Sequence, residues 1–444
     1  MGKTAIIGGG IAGLTAAFAL RKEGADCVVF EASNRPGGAI RTERAEGFAF
    51  ESGPNTLLAL HPELDDLFAA LDLTRDVRAA DPAAKRRYVV RDGRMLPLPA
   101  SPGAFFATPL FSGRAKFRLF AEPFVRGAQK GREESVAEFV ERRLGREFLD
   151  YAIEPFVGGV YAGDPARLSV QYAFPKLYAL EKRYGSMLKG ALLGRRERRK
   201  RAETSAKDAA MRSFSAGMEV LPRRLAERLG DVLRLETPVS SLRRDGTEWI
   251  VADERFSDVV LALPAHVLPR LRAPFDLSLF GRVVYPPVAS VSLGFASERI
   301  ARPLDGFGVL IPGIEKRFAL GALFLSTLFP GRAPEGCALL TAFVGGAKAP
   351  ERARLPEGEL VERTVESLRD LLGLSGAPLF SRVVRHERAI AQYDLGYGRF
   401  LERMNSIERE FSGIRFAGHA RDGISVANAI RSGLRVAREI LGTA

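Results

Sequence analysis

The chain has 444 residues, which is enough for two or three domains around a sizeable buried core. Hydrophobic residues make up 46% and charged residues 27%, a composition typical of an ordinary soluble globular protein. No stretch reaches the roughly eighteen consecutive apolar residues of a membrane-spanning helix, so any membrane contact is expected to be peripheral. The net charge of +13 predicts attraction to nucleic acid, an anionic membrane surface or a carboxylate-bearing substrate, without choosing among them.

The cysteines and histidines predict a reducing compartment and no metal site. Two cysteines are too few for a disulfide framework, and Cys27 lies inside an apolar run as a small core residue. We therefore expect a cytoplasmic protein. The four histidines, which are His61, His266, His386 and His419, are scattered without the spacing of metal ligands.

The first thirty-one residues have the pattern of a dinucleotide-binding βαβ unit. An apolar strand ending at Ile7 is followed by Gly8-x-Gly10-x-x-Gly13, a helix, a second apolar strand and Glu31. Gly8 would permit a tight turn, Gly10 would let a pyrophosphate approach the backbone, and Gly13 would let the helix pack closely on the strand. Glu31 stands where a carboxylate can accept a ribose hydroxyl.

Two other interpretations of this segment were considered. It could be an ordinary glycine-rich βα turn with no ligand. It could also be a signal peptide, since residues 4–20 are uncharged and follow Lys3. Three consecutive glycines at its centre and the absence of a convincing cleavage site argue against a signal peptide.

The next segment predicts a loop and a short return strand where a NAD-only dehydrogenase would have a third βα repeat. Gly37-Gly38 allows backbone to lie against a flat or phosphorylated ligand, and Arg41 offers a cation nearby. Together with the Gly53-Pro54 pair, this pattern resembles the FAD-binding half of the flavin amine oxidase superfamily.

Residues 61–75 have helical spacing, and residues 88–99 predict a hairpin with an Asp92-Gly93 turn. Residues 102–151 then combine phenylalanines with basic residues. This composition predicts amphipathic helices that face either their own core or a membrane surface.

Residues 154–169 contain Gly-Gly and Gly-Asp-Pro turns, and we predict no regular element there. The run PFVGGVYAGDPARLS, the segment from Phe174 to Glu181 and the Gly185-Ser186 pair resemble the protoporphyrinogen oxidase family. In that family, the corresponding loop lines the tetrapyrrole pocket.

The central part of the chain alternates strands and helices. The basic run at 194–207 is interpreted as a solvated linker, with a nucleic-acid or membrane patch as the alternative. A helix reaching Leu229, a strand over 233–242 containing Val239, and a strand over 258–265 follow. In the flavin superfamily, this valine presents its backbone to adenine. From Val267 to about Arg388, strands with one helix over 356–372 resemble the superfamily's substrate domain.

Two further segments match the family. In the segment 305–312, the resemblance implies that Phe307 and Leu310 clasp the macrocycle, although both could simply be core residues. In the closing segment 414–433, a strand and a Gly-containing turn precede a helix whose N-terminus would meet the flavin's pyrimidine end.

Some residues depart from the family pattern. Ala391 and Tyr397 replace an expected Pro and His, and His419 stands where Asn or a small residue is common. No unambiguous counterpart exists for a family arginine that pairs with a substrate propionate; Arg91 and Arg94 are only neighbours. These departures leave the identity of the porphyrinogen open.

The resemblance implies an α/β fold (α+β overall) with three parts. They are a discontinuous Rossmann-like FAD-binding domain (1–85, 205–266 and 390–444), a mixed-sheet substrate-binding domain (86–101 and 267–389) and a helical, membrane-associating subdomain (102–204). The implied cofactor-binding residues are Gly8, Gly9, Gly10, Ile11, Ala12, Gly13, Glu31, Ala32, Gly38, Ala39, Arg41, Gly53, Pro54, Asn55, Thr56, Val239, Gly418, His419, Ile424, Ser425 and Val426. The implied substrate-binding residues are Phe307, Leu310 and Gly159.

The implied activity is FAD-dependent oxidation of protoporphyrinogen IX to protoporphyrin IX in haem synthesis, with dioxygen as acceptor and hydrogen peroxide as product. The flavin carries the chemistry, so no catalytic side chain and no metal ligand is predicted. The expected partners are the porphyrinogen, dioxygen and the inner face of the cell membrane, without nucleic acid, for a monomer or homodimer. The alternatives are coproporphyrinogen III oxidation, another flavin amine oxidase-type enzyme, and a basic non-enzymatic binding protein.

Overall fold

A computed structural model describes residues 2–58, 61–129, 131–190, 193 and 211–443. Elements are numbered in chain order within these residues. The strands are β1 (Thr4–Ile7), β2 (Cys27–Phe30), β3 (Thr42–Ala45), β4 (Phe48–Glu51), β5 (Leu57–Leu58), β6 (Val77–Ala79), β7 (Arg86–Arg91), β8 (Arg94–Pro97), β9 (Met211–Phe214), β10 (Leu233–Arg234), β11 (Leu242–Asp245), β12 (Glu248–Val251), β13 (Glu254–Phe256), β14 (Asp258–Leu261), β15 (Val288–Ala296), β16 (Gly306–Leu310), β17 (Gly321–Phe324), β18 (Cys337–Gly345), β19 (Phe380–His386) and β20 (Ile414–Phe416).

The helices lie mainly on the faces of two sheets and in the region between β8 and β9. They are α1 (Ile11–Lys22), α2 (Pro62–Ala70), α3 (Pro102–Ala107), α4 (Gly113–Ala121), α5 (Val136–Arg143), α6 (Arg146–Phe148), α7 (Glu154–Tyr161), α8 (Val170–Ala173), α9 (Pro175–Tyr184), α10 (Val220–Leu229), α11 (Leu325–Leu328), α12 (Glu357–Leu372), α13 (Gly398–Glu410), α14 (His419–Asp422) and α15 (Val426–Leu441).

A five-stranded parallel sheet joins distant parts of the chain in the order β10-β2-β1-β14-β20. Every residue of β1 and β2 is buried, as expected when both faces of a parallel sheet are covered. On one face, α1 packs against α10 and α15 around Leu14, Leu20, Leu225 and Ile430. The sheet therefore brings the N-terminal glycine turn next to the closing segment of the chain.

A seven-stranded mixed sheet has the order β19-β15-β18-β17-β16-β7-β8 and is antiparallel except between β16 and β7. One face packs on α12 through residues such as Val291, Leu340 and Leu368. On the other face, direct cross-strand neighbours form the row Val89, Leu310, Gly321, Phe343, Ser290. This second face is the one turned away from α12.

The region from α3 to α9 is helical, as the sequence predicts. Its phenylalanines divide into two groups: Phe111 and Phe148 stack in the core with ring centroids 4.3 Å apart, whereas others lie on the surface. Exposed side chains are Phe106, Phe117, Phe120 and Phe124, of which Phe117 and Phe124 are 75% and 86% exposed. Within the described residues, no helix is long and apolar enough to cross a bilayer.

The fold confirms a mixed α/β protein with a parallel and a mixed sheet, and it confirms the βαβ unit, the 88–99 hairpin and the closing strand and helix. The domain boundaries and the membrane association of the helical part remain predictions. The basic run at 194–207 lies outside the described residues.

The prediction of an irregular segment over 154–169 was wrong in its first half. Residues 154–161 form α7, which ends at Ala162 in a left-handed conformation with φ +48°. The Gly158-Gly159 pair does not break the helix because α7 lies against β16, where Gly159 allows close approach: a Cβ on Gly159 would lie 2.6 Å from Leu310 Cδ2.

The prediction of one strand over 233–242 was also wrong. Only β10 pairs with β2, and the chain then leaves the sheet before β11 begins a separate hairpin. The backbone N–H groups of Glu236 and Thr237 donate to Ser33 O and Glu31 O, at 3.0 and 2.8 Å. These bonds turn the segment around the end of β2, so Val239 lies in a loop.

Candidate active site

The glycine turn between β1 and α1 has the geometry that its sequence predicts. Gly8 has φ +111°, and its N–H donates to Phe30 O at 2.9 Å. A Cβ on Gly13 would lie 2.0 Å from Gly8 O, whereas a Cβ on Gly10 would meet no atom within 4 Å. Gly13 therefore serves helix packing, and Gly10 leaves open space at the N-terminus of α1, where a phosphate is favoured.

The carboxylate of Glu31 is held at the end of β2. One oxygen accepts from Gly9 N at 2.7 Å, and the other accepts from Ser33 N and Ser33 Oγ at 2.8 and 2.7 Å. The residue is half-buried, and a carboxylate oxygen can accept more than one hydrogen bond. Glu31 is thus fixed beside the glycine turn with acceptor capacity for a hydroxyl.

The loop after β2 packs on the same turn. Gly37 N donates to Gly9 O at 2.8 Å, and Gly37 and Gly38 both have positive φ. Ala32 and Ala39 are exposed on this loop, which ends near Arg41. The Arg41 guanidinium is half-exposed, and its nearest carboxylate is that of Glu43 at 3.6 Å. This places the predicted residues of the loop beside the turn.

The segment 53–56 lies against the loop. A Cβ on Gly53 would lie 1.9 Å from Ala39 O, so only glycine fits there. Asn55 is 7% exposed and donates to Gly53 O, but its Oδ1 is buried without a partner among the described residues. Pro54 and Thr56 flank it and are half-buried. A donor from a bound group would satisfy this orphaned acceptor.

The closing segment meets the turn from the other side. Gly418 has φ +107°, and its N–H donates to Ser432 Oγ at 2.8 Å. A Cβ on Gly433 would lie 2.3 Å from Ala12 O, which shows how closely α15 approaches α1. Ser425 caps α15 by accepting from Asn428 N at 3.1 Å.

The structure therefore gathers most predicted cofactor residues around one turn. Glu31 and Gly37 bond to Gly9, Gly53 packs against Ala39 of the same loop, and Gly418 lies next to Ala12. The cofactor roles of Val239, Ile424 and Val426 remain predictions. Ile11 and Ala12 contribute to packing as well, since they are 8% and 5% exposed in the α1–α15 contact.

Two tyrosines in the segment just before α13 support the closing segment. Tyr393 OH donates to His419 O, and Tyr397 OH donates to Ala420 O at 2.6 Å. Burial raises the pKa of both phenols, so they act as neutral donors. Tyr397, a departure from the family pattern, thus has a structural role at the end of β20.

His419 is held by a third tyrosine. Its Nε2 lies 3.0 Å from Tyr285 OH. Burial, with a smaller contribution from His266, lowers the pKa of His419 to about 4. The imidazole is therefore neutral at physiological pH.

On the substrate side, the predicted residues meet on the face of the mixed sheet turned away from α12. Gly159 in α7 contacts Leu310 in β16, as described above. Phe307 occupies a bulge in the β16–β7 pairing and is half-buried. The Arg87 guanidinium lies over the Phe307 ring, 5.6 Å from its centroid. Arg87 has no ion-pair partner among the described residues, and its side chain is exposed.

Arg87 was missed in the sequence, where Arg91 and Arg94 were noted instead. The Arg91 guanidinium is engaged by Leu110 O and by Glu147 at 2.5 Å. The available signal was alternation in β7, since Tyr88 and Val90 pack towards α12, which puts Arg87 on the Leu310 face.

These observations fit a dinucleotide cofactor. Gly10 leaves room for a phosphate, Glu31 retains acceptor capacity, and Asn55 Oδ1 lacks a donor. The adjoining sheet face offers the apolar side chains of Leu310 and Phe307 and the guanidinium of Arg87. This combination suits a redox cofactor beside a large, flat, carboxylated substrate.

Comparisons with known proteins find relatives that match almost the whole chain. The family profile described as flavin containing amine oxidoreductase matches residues 11–441. Protoporphyrinogen oxidase 2 (chloroplastic/mitochondrial) of Arabidopsis thaliana is 32% identical and covers 98% of this chain and 93% of its own. Coproporphyrinogen III oxidase of Bacillus subtilis (strain 168) is 28% identical and covers 96% of this chain and 95% of its own.

The fold also has a solved counterpart. A crystal structure from Exiguobacterium sp. 255-15, provisionally assigned as a protoporphyrinogen oxidase, has a TM-score of 0.81 at 23% identity and covers 99% of this chain and 98% of its own. The structural likeness supports the fold, and the profile match and the Arabidopsis relative extend over almost the whole sequence. The chain therefore belongs to the flavin containing amine oxidoreductase family and, within it, to the protoporphyrinogen oxidase family.

Proposed function

We propose that this protein is an FAD-dependent oxidase that converts protoporphyrinogen IX to protoporphyrin IX, with dioxygen as acceptor and hydrogen peroxide as product. The observation that carries the proposal is the meeting of Gly159 and Leu310 beside the Arg87–Phe307 pair on one sheet face. Apolar groups and an arginine suit a flat macrocycle that carries carboxylates. The relatives are protoporphyrinogen and coproporphyrinogen oxidases.

The FAD would be held by the residues gathered around the glycine turn. The turn and the start of α1 would bind the pyrophosphate, Glu31 would accept a ribose hydroxyl, and Asn55 would accept from a polar group of the cofactor. The N-terminus of α15, after Ser425, would stabilise negative charge on the reduced ring. When bound, the flavin supplies the chemistry by taking up hydride equivalents and passing them to dioxygen.

The side chains on the substrate face position the macrocycle. Leu310 and Phe307 would contact its apolar surface, Gly159 would let Leu310 pack against the backbone of α7, and Arg87 would pair with a carboxylate. Their contribution is orientation of the substrate.

The experiment that tests this proposal compares Arg87→Gln with Arg94→Gln. Arg94 is an exposed arginine on the adjacent strand β8 and serves as the matched control. Porphyrin fluorescence measures turnover, and flavin absorbance measures cofactor content. We expect Arg87→Gln to raise KM roughly tenfold or more while the flavin is retained. An increase of this size corresponds to the loss of about one charge-assisted hydrogen bond. Equal KM values for both variants would contradict the proposed substrate face.

The second candidate is oxidation of coproporphyrinogen III, which has two more carboxylates. The Bacillus subtilis relative and the net charge of +13 favour it. Measuring kcat/KM for both porphyrinogens with the same preparation discriminates the two. A colourless purified protein would instead favour a basic binding protein, and a flavoprotein inactive on both substrates would favour another amine oxidase-type reaction.

We further propose peripheral membrane contact through the exposed phenylalanines of α3, α4 and the turn after it. Phe106 and Phe120 stack with centroids 5.6 Å apart, Phe117 and Phe124 are the most exposed of the group, and Arg114 lies exposed beside them. Aromatic side chains next to cations suit the surface of an anionic membrane. The double variant Phe117→Ser/Phe124→Ser tests this contact, and we expect it to co-sediment less with anionic vesicles than the unmodified protein does. Unchanged co-sedimentation would contradict the contact.

A further inference from the structure

The Tyr285 hydroxyl has two hydrogen-bond partners in the part of the chain that the structure describes. Ala265 N donates to it at 3.0 Å, and His419 Nε2 lies at 3.0 Å. Tyr285 is 9% exposed, and the His266 ring packs edge-on against it with centroids 4.7 Å apart. The hydroxyl is thus enclosed between a backbone amide and an imidazole nitrogen.

This geometry determines which nitrogen of His419 carries the proton. The Ala265 amide can only donate, so the Tyr285 oxygen accepts from it and the hydroxyl proton needs an acceptor. His419 Nε2 supplies that acceptor. The reverse arrangement, with Nε2–H as donor, would leave a buried hydroxyl hydrogen unpaired, at a cost of about 1–3 kcal/mol. His419 therefore carries its proton on Nδ1.

The position of His419 is fixed at both ends. Tyr393 OH donates to its carbonyl oxygen, and the preceding Gly418 is held by Ser432. A Cβ on Gly418 would lie 3.9 Å from the Ala12 Cβ, in the first turn of α1. His419 therefore begins next to the glycine turn that is proposed to bind the cofactor.

Neither histidine of this cluster has an Nδ1 partner among the described residues, and His419 is anchored through its other nitrogen by Tyr285. An N–H group that is anchored through its other nitrogen beside a nucleotide turn is suited to donate to a ligand oxygen.

We propose that His419 binds the flavin cofactor as a neutral donor through Nδ1–H to a hydroxyl or phosphate oxygen, and that Tyr285 holds it in this tautomer. This inference rests on the proposed FAD site. It assigns a specific role to a residue that departs from the family pattern, and it makes Tyr285 a positioning residue.

The test compares two amide side chains of different length, Asn and Gln, at position 419. In His419→Asn, the amide N–H stands near the position of Nδ1, whereas in His419→Gln it stands near that of Nε2. Flavin affinity of the apoprotein is measured by quenching of FAD fluorescence, with His386→Gln, at the end of strand β19, as the control. We expect His419→Asn to bind FAD within about threefold of the unmodified protein and His419→Gln to bind it roughly tenfold more weakly.

Tyr285→Phe provides a second variant with a distinct readout. It removes the acceptor for Ala265 N and frees the imidazole to change tautomer, so we expect a smaller loss of FAD affinity. In the unmodified holoprotein, the ¹⁵N NMR spectrum of His419 should show a protonated Nδ1 and an unprotonated Nε2. This spectrum decides the tautomer even where a variant fails to fold.

The outcomes separate this inference from the proposed function. If the unmodified protein binds no FAD, the proposed function fails. If it binds FAD but Asn and Gln at position 419 weaken binding equally or leave it unchanged, the donor role of His419 is wrong. A protonated Nε2 in the holoprotein would overturn the assignment of Tyr285.

Discussion

The glycine turn at residues 8–13 and the substrate face around β16 are both crowded, but backbone atoms limit the space at the turn and side-chain atoms limit it at the sheet face. At Gly13, the obstacle to a larger residue is backbone, the carbonyl oxygen of Gly8 at 2.0 Å. At Gly159, the obstacle is the end of a side chain, Leu310 Cδ2 at 2.6 Å. The first site can accept no side chain, whereas the second can adjust by moving Leu310. The comparison predicts that changes at the turn abolish cofactor binding and that changes at the sheet face alter turnover alone.

The largest effect is expected for Gly13→Ala. The added methyl group would push α1 away from β1 and close the space for the pyrophosphate, so we expect little folded protein and no bound flavin. Gly103→Ala, at an exposed helical position where a Cβ meets no atom within 4 Å, is the control and should leave flavin content unchanged. Flavin absorbance per protein and the midpoint of thermal unfolding measure both. A flavin-loaded Gly13→Ala protein would contradict the assigned role of this glycine.

Glu31→Ala tests the same side of the comparison without blocking the turn. The change removes the acceptor of Gly9 N and Ser33 N together with the proposed ribose contact. We expect FAD affinity to fall about 10- to 100-fold, the range for one or two charged hydrogen bonds, with the fold retained. Titration of apoprotein with FAD measures it. Unchanged affinity would place the ribose elsewhere.

Gly159→Ala tests the substrate side, with its neighbour Gly158→Ala as the control. A Cβ on Gly158 would make an ordinary contact at 3.9 Å with Leu320 Cδ2, so only the change at Gly159 displaces Leu310. We expect kcat/KM for the porphyrinogen to fall roughly tenfold in Gly159→Ala, with flavin content unchanged. Similar kcat/KM values in the two variants would show that this contact does not shape the substrate site.

The smallest effect is expected for the contribution of His419 to the pH dependence of the free energy of unfolding. Burial lowers its pKa from 6.5 to about 4, so the unfolded chain binds more protons between these values. The contribution of His419 to the free energy of unfolding is therefore complete above pH 6.5. It decreases as the pH falls towards 4, by an amount on the order of 1–3 kcal/mol. The neighbouring His266 also disfavours the protonated form of His419, and Arg388 acts electrostatically on His266 and Tyr285.

Chemical denaturation at several pH values, compared between the unmodified protein and His419→Asn, isolates this contribution. The difference between their free energies of unfolding should change across pH 4–6.5 and be flat above it. A difference that is independent of pH would show that the imidazole is not buried in a neutral form.

The geometry of the glycine turn could be predicted from the sequence because it depends on local backbone conformation. The roles of Gly8, Gly10 and Gly13 follow from spacing alone, and the structure shows a tight turn, an open face and a packed helix at those positions. The misassigned strand containing Val239 has a long-range cause, since hydrogen bonds from Glu236 and Thr237 to the end of β2, far earlier in the chain, turn the segment away from the sheet.

The substrate side could not be predicted in the same way because it depends on contacts between distant segments. The helical state of α7 follows from its packing on β16, about 150 residues further along the chain. Local helix propensity does not include contacts between segments so far apart in the sequence. Arg87 joins the face only because β7 pairs in parallel with β16 across a bulge. Likewise, the pairing of Tyr285 with His419 links two segments that show no common motif.

The central claim is tested most directly by mixing the purified protein with protoporphyrinogen IX in the absence of oxygen. The account predicts a yellow protein whose flavin absorbance bleaches when the porphyrinogen is added. When air is admitted, the absorbance should return, hydrogen peroxide should form, and porphyrin fluorescence should appear, because complete oxidation of the porphyrinogen needs several rounds of flavin reoxidation. A protein that carries flavin but is not bleached by protoporphyrinogen IX or coproporphyrinogen III would contradict it.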